Sequence, residues 1–493
     1  MADIKDLRDY VDTLDRLGDI RHIDKPIDSY LEAGATIRLS YERRSPAPLF
    51  TRVTGNEGSG SRVLGAPAAL SSIPGKSYAR VALSVGLDAD ASAQQILEHL
   101  AAATLREPIA PVVVESGPVQ QNVLLGEEAS LAGFAKLTLH EGDGGPYVNT
   151  WGTIIARTPD GAFTSWSIAR IMAMDDRHLT GLVAPGQHIH YVWSQWEAIG
   201  QPMPFALVQG GHPAIPFVSG MPLPNGVEEV GYLGALLGRP VELVRAQTND
   251  LLVPANAEIV IEGRLAITRD AMEGPMGEYA GYQPKESSAQ PIYTIDAITY
   301  RDDPIWPAVA EGEPVDEYHT VTGITGSADV LGALRAAGLP VAAVWAPPEM
   351  AMHALVITVH TDWRESLPGV TSEELSHRIF DVVKTRRFSH HTPQFYVLND
   401  DVDPSNPAEL VWALATRVHP TSRRFTDYDV IVPLIASFTD EERHRGRADR
   451  VIHDALSPAL EDGDWRRSGF AHIYPEDVRQ RVLDAWPVEK SRK

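Results

Sequence analysis

Apolar positions near the start of the chain recur at helical spacing. Leu7, Val11, Leu14 and Leu17 line one face, and Gly18 follows as a stop. A strand over 19–23 and a helix over 32–42 come next, and Pro46 and Pro48 end the helix. Residues 49–53 and 80–85 have the short apolar runs of strands, with the Gly-rich stretch 55–61 as a loop between them. These glycines are not a dinucleotide fingerprint, because no helix opens directly after them. Ser92 with Gln95 makes a capping box for a helix through Leu105. The alternation predicts a small α/β domain over residues 1–111.

From about Val112 the period shortens to two. Strands are predicted over 119–125, 152–157, 164–168, 205–209, 242–245, 258–268 and 292–300, with Gly, Pro and Asp in the turns. One helix, 226–237, interrupts them. The pattern predicts a β-barrel-like domain over 112–325. Alternation then returns: a helix over 329–337 ended by Gly338, strands 341–345 and 354–359, a helix capped by Thr371 or Ser372 and running through Thr385, strand 394–398 and helix 407–416. This predicts a second α/β domain over 326–470. The tail 471–493 carries a short amphipathic helix (Val478, Val482, Leu483) able to pack on a partner subunit or on its own chain. The fold class is mixed α/β (α+β).

Composition narrows the function. With 493 residues the chain is too long for one ordinary core, and a 43% hydrophobic content is that of a globular protein. No run approaches the ~20 apolar residues of a membrane span. The N-terminal MADIKDLRDYVDTLDRLGD is charged and lacks an apolar signal core, so export is not expected. The absence of cysteine excludes disulfides, thiolate metal sites and a thiol nucleophile. A formal net charge of −23 argues against nucleic acid or an anionic membrane as partner. The expectation is a cytoplasmic protein with a small-molecule ligand.

Candidate chemistry centres on residues 257–282, AEIVIEGRLAITRDAMEGPMGEYAGY. Alternation gives way to a turn broken by Gly274, Pro275 and Gly277, which holds Glu273 and Glu278. Paired carboxylates serve acid–base chemistry near neutral pH; a solvated acidic turn is the competing reading. The loop LTLHEGDGGPY carries His140, Glu141 and Asp143, and is otherwise a tight turn between strands. Arg170 ends an apolar strand, and an inward Arg needs a carboxylate, which Glu273 or Glu278 could supply. His188 and His190 would share a face on a strand, and so one metal, but would diverge on a helix. In SGMPLPNGVEE, Glu228 or Glu229 opens a helix, favoured there by the dipole or serving as oxygen ligand to a hard cation. No nucleophile elbow, HExxH motif or P-loop is present.

Together these stretches resemble the UbiD family of prenylated-FMN-dependent decarboxylases, near its ferulic/cinnamic acid branch and bacterial relatives acting on heteroaromatic acids. The likeness runs from LRDYVDTLDRLGDI to YPEDVRQRVLDAW. It is most specific in HEGDGGPYVNTWG, WSIARIMAMDDRHLTGLVAPGQH, SGMPLPNGVEEVGYLGA and EGPMGEYAGY. The resemblance implies a central split β-barrel that binds flavin and a C-terminal α/β domain for oligomerisation, a homodimer through that last domain being expected. It places a Glu-Arg-Glu network on Arg170, Glu273 and Glu278. It puts a divalent ion, Mn2+ or Mg2+, on His188 and Glu229, with Ser165 where the family has Asn. Cofactor contacts fall on Ser165, Trp166, Ser167, Ile168, Ala169, Arg170, Gln187, His188, Ser219, Met221, Pro222 and Glu229, with Arg387 replacing a phosphate-binding Lys. A potassium site would use Trp166, Val218, Ser219, Met221, Glu229 and Arg417.

The implied reaction is a reversible, non-oxidative decarboxylation through a covalent adduct with prenylated FMN, itself supplied by a separate flavin prenyltransferase. Glu278 would donate the proton, and Arg170 with Glu273 would place the carboxylate. Counting along the family motifs sets Ala184, Tyr279, Thr322 and His391 at the ring pocket. The small Ala184 and the three hydrogen-bonding partners favour an indole-, pyrrole- or phenazine-carboxylate over a cinnamic acid. A cinnamic or ferulic acid decarboxylase is the alternative within the family. A flavin-binding reductase or carrier is the alternative outside it, and a metal-dependent hydrolase is a third.

Overall fold

The computed structural model describes residues 4–56, 58–223 and 227–486. Its centre is a nine-stranded sheet with the spatial order Tyr147–Asn149, Ile171–Ala173, His178–Gly181, Ile292–Tyr300, Ile259–Leu265, Met203–Gln209, Thr153–Arg157, Thr164–Ser167. Asn122–Leu125 also pairs with Ile292–Tyr300, and every pairing is antiparallel. The chain leaves the last strand at Ser167 and enters the second at Ile171. Four Cα steps reach at most ~14 Å, so the two ends of the sheet must curl towards each other. Ile168, Ala169 and Arg170 bridge the gap, and the Asn149 side-chain amide donates to the Ala169 carbonyl at 2.7 Å across it. The split barrel is thus closed by the segment that carries Arg170.

Of the four smaller sheets among the described residues, two matter here. Ile20–Ile23, Ala47–Phe50 and Arg62–Gly65 are completed by Ile305–Ala308 from the middle of the chain. In the C-terminal part, Ala354–Val359, Gln394–Asn399 and Arg447–Asp454 run parallel, edged by antiparallel Val341–Trp345 and Arg424–Val430. Apolar side chains of the barrel and C-terminal sheets form one continuous core.

Most predicted elements are present, several with the expected bounds: Glu32–Glu42, Glu242–Arg245, Ile292–Tyr300, Val341–Trp345 and Ala354–Val359. The Ser92–Gln95 capping box forms, with both reciprocal bonds made. Two expectations are corrected and one open alternative is decided. The predicted strand 80–85 is the helix Ala79–Ser84, buried on every side, in which Arg80 forks onto Asp19 at 2.8 Å. A helix without a polar face has no helical period to read. The helix expected over 329–337 starts twelve residues earlier, as Glu317–Ala336, and so crosses the boundary drawn at 325/326. His188 and His190 open the helix His188–Ala198 instead of sharing a strand face. The helix predicted over 226–237 is seen as Glu229–Leu237, and residue 226 lies outside the described residues.

Candidate active site

The turn after Ala271–Glu273 is held from below by the loop 137–147. The Asp143 carboxylate accepts the Leu139 and His140 backbone N–H groups and reaches the Gly277 N–H at 3.3 Å. Gly144 N–H donates to the Pro275 carbonyl at 2.8 Å. The two segments touch so closely that a Cβ on Gly277 would lie 2.8 Å from the His140 ring. Asp143 is therefore a brace for the acidic turn, as a tight-turn reading of that loop expects.

On this mould the two carboxylates meet Arg170. Its Nε and Nη2 donate to Glu273 at 2.8 and 3.1 Å, a two-pronged fork, and its Nη1 donates to Glu278. The Tyr147 hydroxyl donates a further bond to Glu273 at 3.0 Å. Glu273 is wholly buried and Glu278 nearly so. Burial holds the Glu278 carboxyl above its ordinary value, against the pull of Arg170. Arg170 is already neutralised by its fork on Glu273, so it cannot hold a second buried carboxylate fully ionised. Burial works to lower the Arg170 pKa, and Glu278 and Glu273 override it and keep it raised. The arrangement is a buried, protonatable acid beside an oriented cation.

Beside it, the His188 Nδ1 lies 2.7 Å from Glu229 Oε1, and Glu229 Oε2 accepts the Trp166 N–H at 2.9 Å. The His188 Nε2 is buried without a partner. Ser165 is buried and shares a hydrogen bond with Ser167 at 2.7 Å. Among the described residues no three His, Cys, Asp or Glu side chains gather as a metal site, so an ion here needs other oxygens. Glu228 caps the strand instead, accepting the Thr164 N–H at 2.9 Å. The Ser219 hydroxyl meets Thr153 at 2.9 Å, and Gly220 lies between Ile168 and Val321. Arg387, an exposed residue, neighbours Gly186 and makes no hydrogen bond or ion pair among the described residues. Partial burial depresses its pKa. Gln187 spends its side-chain carbonyl on the Ala184 N–H at 3.2 Å.

Tyr279 and His391, from the expected ring pocket, do meet: phenol and Nδ1 lie 3.2 Å apart. Burial, then His390, His353 and Arg387, push His391 down to about 4. Thr322 lies one turn after Tyr318 on the helix Glu317–Ala336. No hydrogen bond joins Thr322 or Ala184 to the Tyr279–His391 pair. Arg417 is committed elsewhere, forked on Asp401 at 2.7 Å, and no bond within the chain joins it to Trp166, Val218, Ser219, Met221 or Glu229.

Several neighbours went unread in the sequence. Tyr318 stacks on Tyr279 at 4.3 Å between ring centres, His353 meets the same ring edge-on, and Glu311 is a further carboxyl raised by burial, Asp316 and Glu278. His319 donates to the Tyr279 carbonyl at 2.8 Å. The signal was the run DEYH at 316–319, dense in polar groups, which the late helix start hid.

Three family models cover this chain: the N-terminal, Rift-related and C-terminal domains of 3-octaprenyl-4-hydroxybenzoate carboxy-lyase, over residues 11–100, 111–314 and 319–455. A pyrrole-2-carboxylic acid decarboxylase of Pseudomonas aeruginosa is 40% identical across 98% of this chain and 97% of its own. Ferulic acid decarboxylase 1 of Saccharomyces cerevisiae is 36% identical across 98% and 97%. The solved UbiD-class enzyme HmfF from Pelotomaculum thermopropionicum, in complex with FMN, superposes with a TM-score of 0.81 at 26% identity, over 98% of this chain and all of that one. An evolved dimeric form of the same enzyme, in complex with prFMN, superposes at 0.78. The Arg170–Glu273–Glu278 site therefore lies in a protein that belongs to the UbiD family of carboxy-lyases.

Proposed function

We propose that this protein decarboxylates a small heteroaromatic acid of the pyrrole- or indole-carboxylate type, with Glu278 as proton donor. The observation that carries the reading is the unequal treatment of the two carboxylates. Glu273 is spent on the Arg170 fork, while Glu278 is buried with its pKa raised and one contact to the same guanidinium. Arg170 orients the substrate carboxylate, and burial excludes water that would otherwise protonate the product carbon unselectively. Glu278 delivers its proton to the carbon that has lost CO2, then recovers one for the next turnover.

Prenylated FMN fits the other half of the site. The orphaned, buried His188 Nε2 beside Glu229 and the unpartnered Arg387 are what a divalent ion and a phosphate would satisfy. His188 and Glu229 would hold the ion, with Ser165, water or phosphate oxygens completing it, and Arg387 would take the phosphate. When bound, the flavin supplies an electron sink for the charge left by CO2. A potassium ion would use Trp166, Val218, Ser219, Met221 and Glu229, without Arg417 of the same chain, which is forked on Asp401.

The pyrrole-2-carboxylate relative, together with the hydrogen-bonding Tyr279–His391 wall, supports the heteroaromatic choice. A ferulic or cinnamic acid is the second reading, favoured by the yeast relative at comparable coverage. The test is CO2 release on pyrrole-2-carboxylate, indole-3-carboxylate and cinnamate, using protein made with and without a flavin prenyltransferase. Turnover of the heteroaromatic acids only by the flavin-loaded protein is expected. Preference for cinnamate would move the substrate to the second reading, and a protein that never takes up flavin would refute both.

A further inference from the structure

Glu278 is fixed from Arg170 on one side. Its backbone belongs to a tight turn, Glu278 N–H to the Tyr282 carbonyl at 3.0 Å and Gly281 N–H to the Glu278 carbonyl at 2.9 Å. The next residue, Tyr279, is pinned twice by the first turn of the helix Glu317–Ala336. The Tyr318 ring stacks on its ring, 4.3 Å and 11° apart, and the His319 Nε2 reaches its carbonyl at 2.8 Å. His319 and Asp316 have no solvent exposure.

The hydrogen on His319 is dictated by its partners. A carbonyl oxygen only accepts, so Nε2 must carry the proton. Nδ1 faces both the Asp316 N–H at 3.0 Å and the Asp316 carboxylate at 2.9 Å. A neutral ring accepts from the N–H and a charged ring donates to the carboxylate. In both states Nε2 keeps its proton and its bond to Tyr279. Asp316 is itself fixed: it caps the helix through the Tyr318 N–H, accepts the Gly312 N–H at 2.9 Å and faces Arg38 at 3.5 Å. Arg38 also donates to the Ala310 and Glu313 carbonyls, so the whole approach to this helix is braced.

We infer that His319, held by Asp316, is a positioning residue that sets the Glu278–Tyr279 backbone so that the acid faces the reacting carbon. This rests on Glu278 being the proton donor. A glutamine amide nitrogen reproduces the reach of Nε2, whereas an asparagine amide reproduces only that of Nδ1 and stops short of the Tyr279 carbonyl. The pair His319→Gln and His319→Asn therefore separates the bond to Tyr279 from the bond to Asp316.

The experiment measures kcat, KM, flavin content and melting temperature of the flavin-loaded wild type and both variants, on the best acid of the panel. His319→Asn should lose about tenfold or more in kcat with KM within about twofold, since small misplacements of a reacting group cost that much. His319→Gln should recover most of that loss. Equal rates for the two folded variants, high or low, would overturn the positioning role. Failure of both to fold would assign His319 to core stability and overturn it as well. A wild type inactive on every acid would instead sink the function proposed above.

Discussion

The acidic turn and the His188–Glu229 pair differ in how far the polypeptide satisfies them. At the turn, Glu273 takes three side-chain donors, Asp143 takes three backbone N–H groups, and Tyr279 is bonded through carbonyl, ring and hydroxyl. At the pair, one buried histidine nitrogen has no hydrogen-bond partner, and the exposed Arg387 has no ion-pair partner among the described residues. Buried polar groups left unpaired cost about 1–3 kcal/mol each. The carboxylates and Tyr279 of the first region are satisfied by the folded chain, preorganised for the chemistry, while the His140 ring nitrogens against Gly277 are buried without a hydrogen bond. At the second, the unpaired His188 nitrogen carries a cost that a bound ligand would remove. Rate and cofactor retention should therefore be separable by mutation.

The largest separation is expected at Arg170. Arg170→Ala removes the shared partner of two buried carboxylates and should lower kcat by about 1,000-fold or more while flavin content stays within about twofold. Steady-state kinetics with a flavin spectrum on the same sample reads both, and flavin loss matching the rate loss would erase the distinction. Gly277→Ala comes next. Its Cβ would meet the His140 ring at 2.8 Å, shifting the turn and costing about 100-fold in kcat; an unimpaired variant would show that the mould is soft.

The pH profile sharpens the same side. Glu278 has its folded pKa raised, above the ordinary ~4.3, and the protonated form is the donor. Activity should be full below that raised pKa and fall about tenfold per pH unit above it. The stability that the neutral buried acid contributes is full below the ordinary ~4.3 and is lost as pH rises from there through the raised folded pKa, before the activity falls. A rate that climbs with pH through neutrality would contradict the assignment. The smallest effect belongs to the open side. Arg387→Ala should weaken flavin retention about tenfold, read by dialysis and absorbance, with turnover per bound flavin falling much less. Unaltered retention would remove Arg387 from the phosphate site.

The legibility of the sequence follows the same division. Glu273 and Glu278 stood out because Gly and Pro interrupt a clean alternation, and the fork to Arg170 was available from chemistry alone. The His188–Glu229 contact was anticipated by family resemblance, while periodicity left His188 open, since two histidines two apart fit a strand as well as a helix start. The helix Glu317–Ala336 was the main loss. Thirteen of its twenty residues are buried, it is rich in Thr and Gly, and no polar stripe marks its face, so neither period nor propensity announced its first turn. Asp316, Tyr318 and His319 went unread with it. The helix Ala79–Ser84 failed for the same reason: it is buried throughout, and Arg80 inside it is neutralised by a partner sixty-one positions away.

The central claim is that Glu278 gives the proton and that the polypeptide prepares it independently of cofactor binding. The direct measurement is CO2 release by Glu278→Gln, loaded with prenylated FMN, beside the wild type on the same acid. The amide keeps the shape and the Arg170 contact and removes only the titratable proton. Turnover reduced to background with wild-type flavin content is the expected result. Wild-type turnover in that variant would contradict the account.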